Sequence, residues 1–335
     1  MRKEHAINKC SGKKMYRMNG HAGGHVLKGP YSGGQVYDKL GERETRDITD
    51  DTEKWYSSTK REFLRILFKN KGALLGSIII LVFILVAILA PYIAPYSYDE
   101  VDLPNMLQPP SSSYPMGTDE LGRDIFSRII YGARVSLKVS IFSVGIALII
   151  GVVLGAIAGY FGGVVDYIIS GLTDIVWSFP VTLLAIAFVA TLGPSLNNLI
   201  LALALTGWTG FTRLVRGEFL ALREKDFILA AKALGIPDRK IVFRHMLPNS
   251  LAPIIVLFTM ELPKAIIVES SLSFLGLGAQ PPTPSWGSIM STGRSYIMEA
   301  PWIFLFPGLV IAILVLAVNL FGDALRDTLD PKLRN

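Results

Sequence analysis

The sequence predicts an all-α, polytopic membrane protein with six transmembrane helices. Of its 335 residues, 51% are hydrophobic and only 18% are charged, and the mean hydropathy is +0.44. A soluble globular chain averages about a quarter charged residues. Six long apolar runs alternate with polar loops, and each run is about as long as a bilayer crossing requires. Cys10 is the only cysteine, so an intrachain disulfide is excluded.

The first part of the chain divides into an extension and a span. Residues 1–58 are polar, show almost no apolar periodicity and are predicted to be disordered. Residues 59–94 comprise a basic amphipathic helix, Lys60–Lys71, and the first span, Gly72–Ile93. The cations before this span predict a cytoplasmic N-terminus.

Residues 95–134 are predicted to form an external loop, because prolines break the stretch and carboxylates outnumber cations. Leu121–Ile130 is expected to form a short amphipathic helix on the outer surface. The loop either contacts an external partner or plugs the ends of the spans, and the residues favour neither. Residues 135–335 then hold the main membrane region, with five further spans.

These five spans are expected to return the C-terminus to the cytoplasm. Pro180 is expected to bend the second of them, Trp302 is expected to lie at a membrane interface, and Gly276–Pro301 is expected to be a second external loop. The five predicted spans are Val139–Ala158, Ile175–Leu192, Leu196–Thr212, Leu251–Leu275 and Trp302–Phe321.

Glycines recur at every fourth position in and after the second span. This spacing leaves bare backbone on one stripe of a helix, where a second helix can approach closely. The partner helix belongs either to the same chain or to a neighbouring subunit, and we favour packing within the chain. The stripe consists of Gly151, Gly155, Gly159 and Gly163.

The fifth span contains three charged residues, Glu261, Lys264 and Glu269. Charges inside a bilayer are costly and usually face a bundle interior or water. Glu261 and Lys264 are three residues apart, so they share a helix face and can pair. We favour the interpretation that all three line a translocation path; the alternative is a tilted span whose charges pair to close a polar hole.

A charged, helix-forming segment, Asp226–Asn249, lies between the fourth and fifth spans. Good helix formers over Phe227–Leu234 are followed by Gly235, where a helix end favours positive φ, and then by Pro237. Asp238 is expected to cap a second helix, Arg239–His245, which Leu247-Pro248-Asn249 closes. The pattern predicts a helix-turn-helix at the membrane face.

At these residues the sequence resembles the membrane-spanning subunits of binding-protein-dependent ABC importers. Ala230-Ala231, Gly235 and Leu247-Pro248 fall at the spacing of that family's "EAA" loop. Leu229 stands where the family usually has Glu, and His245 where it usually has an apolar residue.

Three further stretches are similar to the dipeptide/oligopeptide/nickel branch of this family. They are His245–Asn249, Gly117–Asp124, and Ser273–Gly278 running on to Pro284–Gly287. The matches occur in the family's order, and the resemblance extends from Phe63 to the C-terminus.

The resemblance implies a fold of the type I ABC importer kind in a bacterial or archaeal cytoplasmic membrane. It implies a homologous second permease subunit, two ABC ATPase subunits that hold ATP and magnesium, and a solute-binding protein, with no cofactor in this chain. The cytoplasmic segment would be the coupling loop that one ATPase contacts. Its expected contact residues are Asp226, Phe227, Ala230, Ala231, Lys232, Leu234, Gly235, His245, Leu247, Pro248 and Asn249.

Several activities are excluded by missing motifs. The sequence contains no phosphate-binding P-loop, no His-Glu-x-x-His and no Gly-x-Ser-x-Gly, so the chain is not expected to be an enzyme. No nucleic-acid-binding motif accompanies its net charge of +6. The resemblance implies a peptide as the cargo, with nickel or an oligosaccharide as alternatives. An ion-coupled secondary transporter using Glu261, Lys264 and Glu269 is the competing class.

Overall fold

The computed structural model describes residues 70–329, whose regular elements are helices. The extension predicted for residues 1–58, and all but the last two residues of the Lys60–Lys71 helix, lie outside this range. Two 3₁₀ turns cover Leu103–Asn105 and Arg294–Tyr296, and a π-helical turn covers Val242–Met246. The α-helices are α1 Lys71–Ile88, α2 Ala90–Ile93, α3 Ile125–Phe161, α4 Gly163–Trp177, α5 Val181–Leu192, α6 Leu196–Arg223, α7 Asp226–Ala233, α8 Asp238–Ile241, α9 Leu247–Phe274, α10 Trp286–Gly293 and α11 Trp302–Leu329.

Five helical segments within residues 70–329 are long and apolar enough to cross a membrane. They are α1, α3, α6, the run Asp238–Phe274 that ends with α9, and α11. The pair α4 and α5 also has the length and composition of a span, but it is bent by 88°. If this pair is one broken span, the number of spans is six, as the sequence predicts.

The broken third span differs most from its prediction. The sequence predicts one bent helix over Ile175–Leu192, whereas α4 already begins at Gly163 and ends at Trp177. Pro180 directly precedes α5, where its ring and missing N–H prevent α4 from continuing. The predicted bend is therefore present, but the helix before it is much longer than its apolar pattern indicated.

Helix α3 begins inside the predicted external loop. It starts at Ile125, so the short separate helix expected over Leu121–Ile130 is wrong, and its second half is the first turn of a 37-residue helix. The Asp124 carboxylate caps α3 by accepting a hydrogen bond from the backbone N–H of Ser127 at 2.8 Å. The apolar pattern marked only the most apolar part of this helix.

Two other helices also extend past their predicted ends. Helix α6 continues from Thr212 to Arg223, and α11 continues from Phe321 to Leu329. Both extensions are more polar than the spans they prolong, and they consist largely of residues that tolerate a helix. The bundle therefore continues as helices beyond the apolar segments.

Helices α3 and α6 are in direct backbone contact along the glycine stripe. A Cβ atom at Gly155 would lie 2.6 Å from the carbonyl oxygen of Thr212. A Cβ atom at Gly159 would lie 2.8 Å from the carbonyl oxygen of Arg216, and Gly151 faces the same helix. No side chain fits at these distances, so glycine permits the close approach. The contact lies within one chain.

Gly163 does not belong to this contact. Helix α3 ends at Phe161, Gly162 adopts a φ of 68°, and Gly163 begins the next helix. A Cβ atom at Gly163 would have no atom within 4 Å. The four-residue spacing of glycines therefore extends to Gly163 in the sequence, although α3, the helix that packs through these glycines, ends before it.

The Gly117–Asp124 motif folds tightly over the N-terminal end of α3. The Asp119 carboxylate, which is 2% exposed, accepts a hydrogen bond from Arg123 Nε at 2.7 Å and lies 3.5 Å from Arg128 Nε. Burial, with the neighbouring Asp119 carboxylate, raises the pKa of Glu120. The motif is thus part of a packed cap, as the plug interpretation of this loop expects, and docking on its outer surface stays a prediction.

Two tryptophans hold the second long loop against α3 and α11 against this cap. Trp286 at the start of α10 is fully buried, and its indole N–H donates to the carbonyl of Ile129 at 3.0 Å. The side chain packs against Gly132, where a Cβ atom would lie 2.9 Å from the indole ring. The indole N–H of Trp302 donates to the carbonyl of Thr118 at 3.1 Å. Trp302 therefore holds the cap, a role that the expected interface position did not include.

The glycine contact predicts a difference between two alanine substitutions in α3. Gly155→Ala should destabilise the protein by about 1–3 kcal/mol, because the new methyl group meets backbone of α6 that cannot move aside. Gly145→Ala is the matched control, since nothing lies within 4 Å of its Cβ position. Thermal unfolding of the purified protein measures both. Equal midpoints for the two variants would contradict the close contact.

Candidate functional site

Helix α7 has two apolar faces. Ile228 and Ala231 are buried against the protein's own bundle, in a cluster with Tyr160. On the other face, Phe227 is 47% exposed and Leu234 is 80% exposed, and the exposed Ala230 lies between them at helical spacing. The buried face fixes the helix to the bundle, and the exposed stripe of Phe227, Ala230 and Leu234 has no cover within residues 70–329.

The turn after α7 is a fully hydrogen-bonded helix end. Gly235 adopts a φ of 74°, its N–H donates to the carbonyl of Lys232 at 2.9 Å, and the N–H of Ile236 donates to the carbonyl of Ala231 at 3.1 Å. This is the Schellman arrangement, in which glycine adopts the left-handed conformation without steric cost. Asp226 in the first turn and Lys232 in the last both complement the helix dipole.

Tyr160, near the end of α3, contacts both arms of the helix-turn-helix. Its hydroxyl donates a hydrogen bond to the Asp238 carboxylate, and the Lys232 ammonium lies 5.2 Å from its ring centroid. The prediction that Asp238 caps the second helix is wrong. Pro237 holds the cap position, and Asp238 is the first residue of α8, where its carboxylate is free to bind Tyr160.

The second arm runs straight into the fifth span. The sequence predicts a helix over Arg239–His245 that ends at Leu247-Pro248-Asn249, whereas α8, the π turn Val242–Met246 and α9 form one continuous segment. Pro248 has no N–H to donate, so the regular ladder is interrupted and the N–H of Leu247 bonds back to Val242. Asn249 Nδ2 donates to the carbonyl of His245 at 2.5 Å.

The three charges of the fifth span separate into two environments. Lys264 Nζ and Glu261 Oε1 are 2.7 Å apart near the middle of α9. Glu269 is fully buried and accepts hydrogen bonds from the hydroxyls of Ser136 at 2.9 Å and Ser273 at 2.8 Å. Glu269 therefore joins α9 to α3, and its place on a translocation path stays a prediction.

A cavity of about 290 Å³ lies between α3, α4, α5, α6 and α9, and Glu261 and Lys264 form part of its wall. Glu269 is not among its lining residues. The other walls are largely apolar, with hydroxyls from α3 and α6. The cavity lies where the bent pair α4–α5 faces α6.

Sequence reasoning missed the residues that hold the broken span in place. The indole N–H of Trp177, at the end of α4, donates to Thr209 Oγ1 at 2.7 Å. The guanidinium of Arg213 lies 3.7 Å from the Trp177 ring centroid and donates to Asp174 at 2.6 Å. The only sign of these contacts in the sequence was the bend predicted at Pro180, because a bent helix needs contacts that hold its two parts in place.

A comparison with family models shows which family of proteins has this arrangement of helices and loop. Residues 151–335, more than half of the chain, match the family described as "Binding-protein-dependent transport system inner membrane component". The chain therefore belongs to this family of membrane permease subunits. It is a multi-pass transport subunit of an ABC system and not an enzyme, its partners include an ATPase and a binding protein, and permease subunits of this kind carry no cofactor.

Within this family, the chain belongs to the oligopeptide permease C type predicted from its motifs. Residues 58–110 match the model "N-terminal TM domain of oligopeptide transport permease C". This membership decides against an ion-coupled secondary transporter, because the family's transport depends on a binding protein and an ATPase.

The chain matches three relatives over nearly all of the relatives' length. The chain is 52% identical over 275 residues to the dipeptide transport system permease protein DppC of Alkalihalophilus pseudofirmus, covering 82% of this chain and 90% of the relative. It is 42% identical to the di/tripeptide transport system permease protein DppC of Pseudomonas aeruginosa, covering 84% and 94%. It is 45% identical to the glutathione transport system permease protein GsiD of Pectobacterium atrosepticum, covering 82% and 92%.

A solved structure supports the fold. An inward-facing conformation of the MetNI methionine ABC transporter superposes with a TM-score of 0.50 at 20% identity, covering 62% of this chain and 98% of that chain. At this identity the likeness concerns the fold alone. The predicted ABC importer permease fold is confirmed.

The geometry of the turn predicts the effect of removing Gly235. Gly235→Ala should weaken the end of α7 by about 1–2 kcal/mol, because an alanine strains the left-handed conformation. Gly217→Ala in α6 is the control, since both glycines have open space around the Cβ position and only Gly235 has positive φ. Hydrogen exchange of the Ile236 amide measures the change, and we expect about five- to thirtyfold faster exchange for Gly235→Ala alone. Unchanged exchange would contradict the described turn.

Proposed function

We propose that this permease subunit carries dipeptides and other small peptides, including glutathione, across the membrane. The support comes from relatives that the chain matches over nearly all of their length and whose names specify dipeptides, di/tripeptides or glutathione. None of these names refers to nickel or an oligosaccharide, so the relatives favour a peptide substrate over those two alternatives. The cavity beside Glu261 and Lys264 is also of a size suited to a small ligand.

The exposed stripe of α7 is the observation that carries the proposed mechanism. Phe227, Ala230 and Leu234 present an apolar surface next to a face that is already buried. Apolar groups arranged in this way on a short helix suit insertion into an apolar groove of a partner. We infer that the partner is an ABC ATPase and that α7 is the coupling helix. Leu229, at the position of the family's usual Glu, adds apolar surface in place of a carboxylate.

The contacts behind α7 would transmit a movement of the ATPase to the spans. Ile228 and Ala231 pack in one cluster with Val215 of α6, and Tyr160 of α3 contacts Lys232 and Asp238. A packed cluster of this kind moves as a unit more readily than it deforms. Pushing α7 would therefore tilt α3 and α6 together and open the bundle to one side or the other.

We further infer the composition and orientation of the complete transporter. One homologous permease and two ATPases would complete the membrane complex, and a solute-binding protein would deliver the peptide to the face formed by residues 95–134. Cations are concentrated around α7, α8 and the end of α6, whereas carboxylates predominate in residues 95–134. The cation bias therefore supports a cytoplasmic α7 and cytoplasmic termini.

The coupling role of α7 predicts the effect of one charge. Leu234→Asp should abolish co-purification of the ATPase and ATP-driven dipeptide uptake in proteoliposomes, because a carboxylate would be desolvated in the interface. The permease itself should fold normally, since Leu234 is 80% exposed. For co-purification of the ATPase, Leu103→Asp is the control, because Leu103 is 57% exposed and lies in residues 95–134, on the face proposed to be opposite the ATPase.

The same preparation tests the orientation and the alternatives. In a Cys10→Ser background, cysteines at Arg239 and Ser112 should react with an impermeant reagent from opposite faces, Arg239→Cys from the face that receives ATP.

Full ATPase association and uptake by the Leu234→Asp variant would show that α7 is not the coupling helix. Uptake of nickel or an oligosaccharide, but no dipeptide, by the unaltered complex would contradict the proposed substrate.

A further inference from the structure

The cavity between the helices contains one pair of opposite charges. Among the described residues that line it, only Glu261 and Lys264 are charged. Apolar side chains from α3, α5, α6 and α9 form most of its remaining surface, and hydroxyls such as Thr206 and Thr209 interrupt it. Trp177, held by its hydrogen bond to Thr209, lines the side formed by the bent pair.

The position of the pair along α9 decides what it can face. Lys264 lies about 15 Å from the nearer helix end at Phe274, because an α-helix rises about 1.5 Å per residue. A lysine side chain is too short to reach a membrane interface from that depth. Its side chain is nevertheless 65% exposed in the described chain. An exposed ammonium at the middle of a span is costly in lipid, so it faces an aqueous path or a partner.

The total charge of the cavity, before and after a ligand binds, favours one class of ligand. The Lys264–Glu261 pair is neutral as a whole, which limits the cost of holding it inside the membrane. A zwitterion could exchange this one ion pair for two new ones, and the total charge would stay zero. A ligand with a net charge would leave one charge uncompensated in a poorly solvated place.

We propose that the cavity is a transit site that binds the two charged ends of a zwitterionic peptide. The Lys264 ammonium binds the peptide's terminal carboxylate, and the Glu261 carboxylate binds its terminal ammonium. The apolar walls hold the side chains without selecting among them. This inference rests on the proposed peptide import and specifies what the permease itself recognises after the binding protein has released its cargo.

The size of the cavity limits the peptide. A volume of about 290 Å³ is at the small end of ligand pockets, which measure about 300–1,000 Å³. A peptide of two or three residues extends over about 7–11 Å. Once the Lys264–Glu261 ion pair opens, each of the two side chains can bind one end of such a peptide, and the peptide's side chains lie along the walls. Longer peptides would have to pass in an extended form.

A set of charge variants tests the site in the complete transporter. The neutral double variant Glu261→Gln/Lys264→Met should reduce ATP-driven uptake of a neutral-side-chain dipeptide by about tenfold or more. The exchanged variant Glu261→Lys/Lys264→Glu keeps both charges in the cavity and should retain uptake within about threefold of the unaltered complex. Lys138→Met, at an exposed lysine outside the cavity lining, is the control. Assembly with the ATPase is measured for every variant.

A purely structural ion pair would give a different pattern. In that case both double variants would transport equally well, because neither leaves an unpaired charge, and this result would overturn the proposal. Absence of any peptide uptake by the unaltered complex would instead contradict the proposed function, so the two failures are distinguishable.

A binding measurement covers the case in which a charge variant fails to assemble. In a Cys10→Ser background, Val181→Cys places a thiol in the cavity wall. Millimolar Ala-Ala should slow its reaction with a small thiol reagent, whereas N-acetyl-Ala-Ala-amide, which lacks both end charges, should not. The protection should disappear when Glu261→Gln/Lys264→Met is added. Equal protection by both peptides, or none by either, would contradict binding through the charged ends.

Discussion

The contact between α3 and α6 is the constraint on which the rest of this permease depends. At Gly151, Gly155 and Gly159 the two helices approach so closely that backbone meets backbone. Such a contact resists sliding and rotation, because any side chain or shift creates an overlap or a void. Helix α6 then continues beyond the apolar segment towards α7, and α3 ends where Tyr160 meets the loop. The membrane bundle and the loop are thereby connected by one stiff pair of helices.

The fifth span combines two different uses of charge. Glu269 is enclosed by hydroxyls and ties α9 to Ser136 of α3, so its value is structural. The Glu261–Lys264 pair faces the cavity. Because the pair is neutral as a whole, the cost of burying it in a span is limited, and its two charges can separate to bind the two ends of the proposed peptide. One helix thus joins the stiff pair α3–α6 on one side and lines the space between helices on another. A tilt of α3 and α6 would change the shape of that space.

Much of this organisation was predictable from the sequence, because its signals are local. The five or six candidate spans follow from apolar length, the positive φ of Gly235 follows from the helix end before it, and the glycine stripe follows from its spacing. The sequence is insufficient where tertiary contacts decide. Asp238 binds Tyr160, which lies far away in sequence, and Glu269 was indistinguishable from Glu261 until its hydroxyl partners were located. Gly163 continued a spacing whose helix had already ended.

The central claim is that the loop and the α3–α6 pair move as one body. In the reconstituted transporter, with Cys10→Ser, spin labels at Arg239 in α8 and at the exposed Val153 in α3 report the distance between loop and span. We expect this distance to change by less than about 2 Å when ATP binds, while a label at Ser112 moves by several ångströms relative to the second permease. A shift of several ångströms between Arg239 and Val153, with no movement at Ser112, would show that the loop moves without the bundle and would contradict this account.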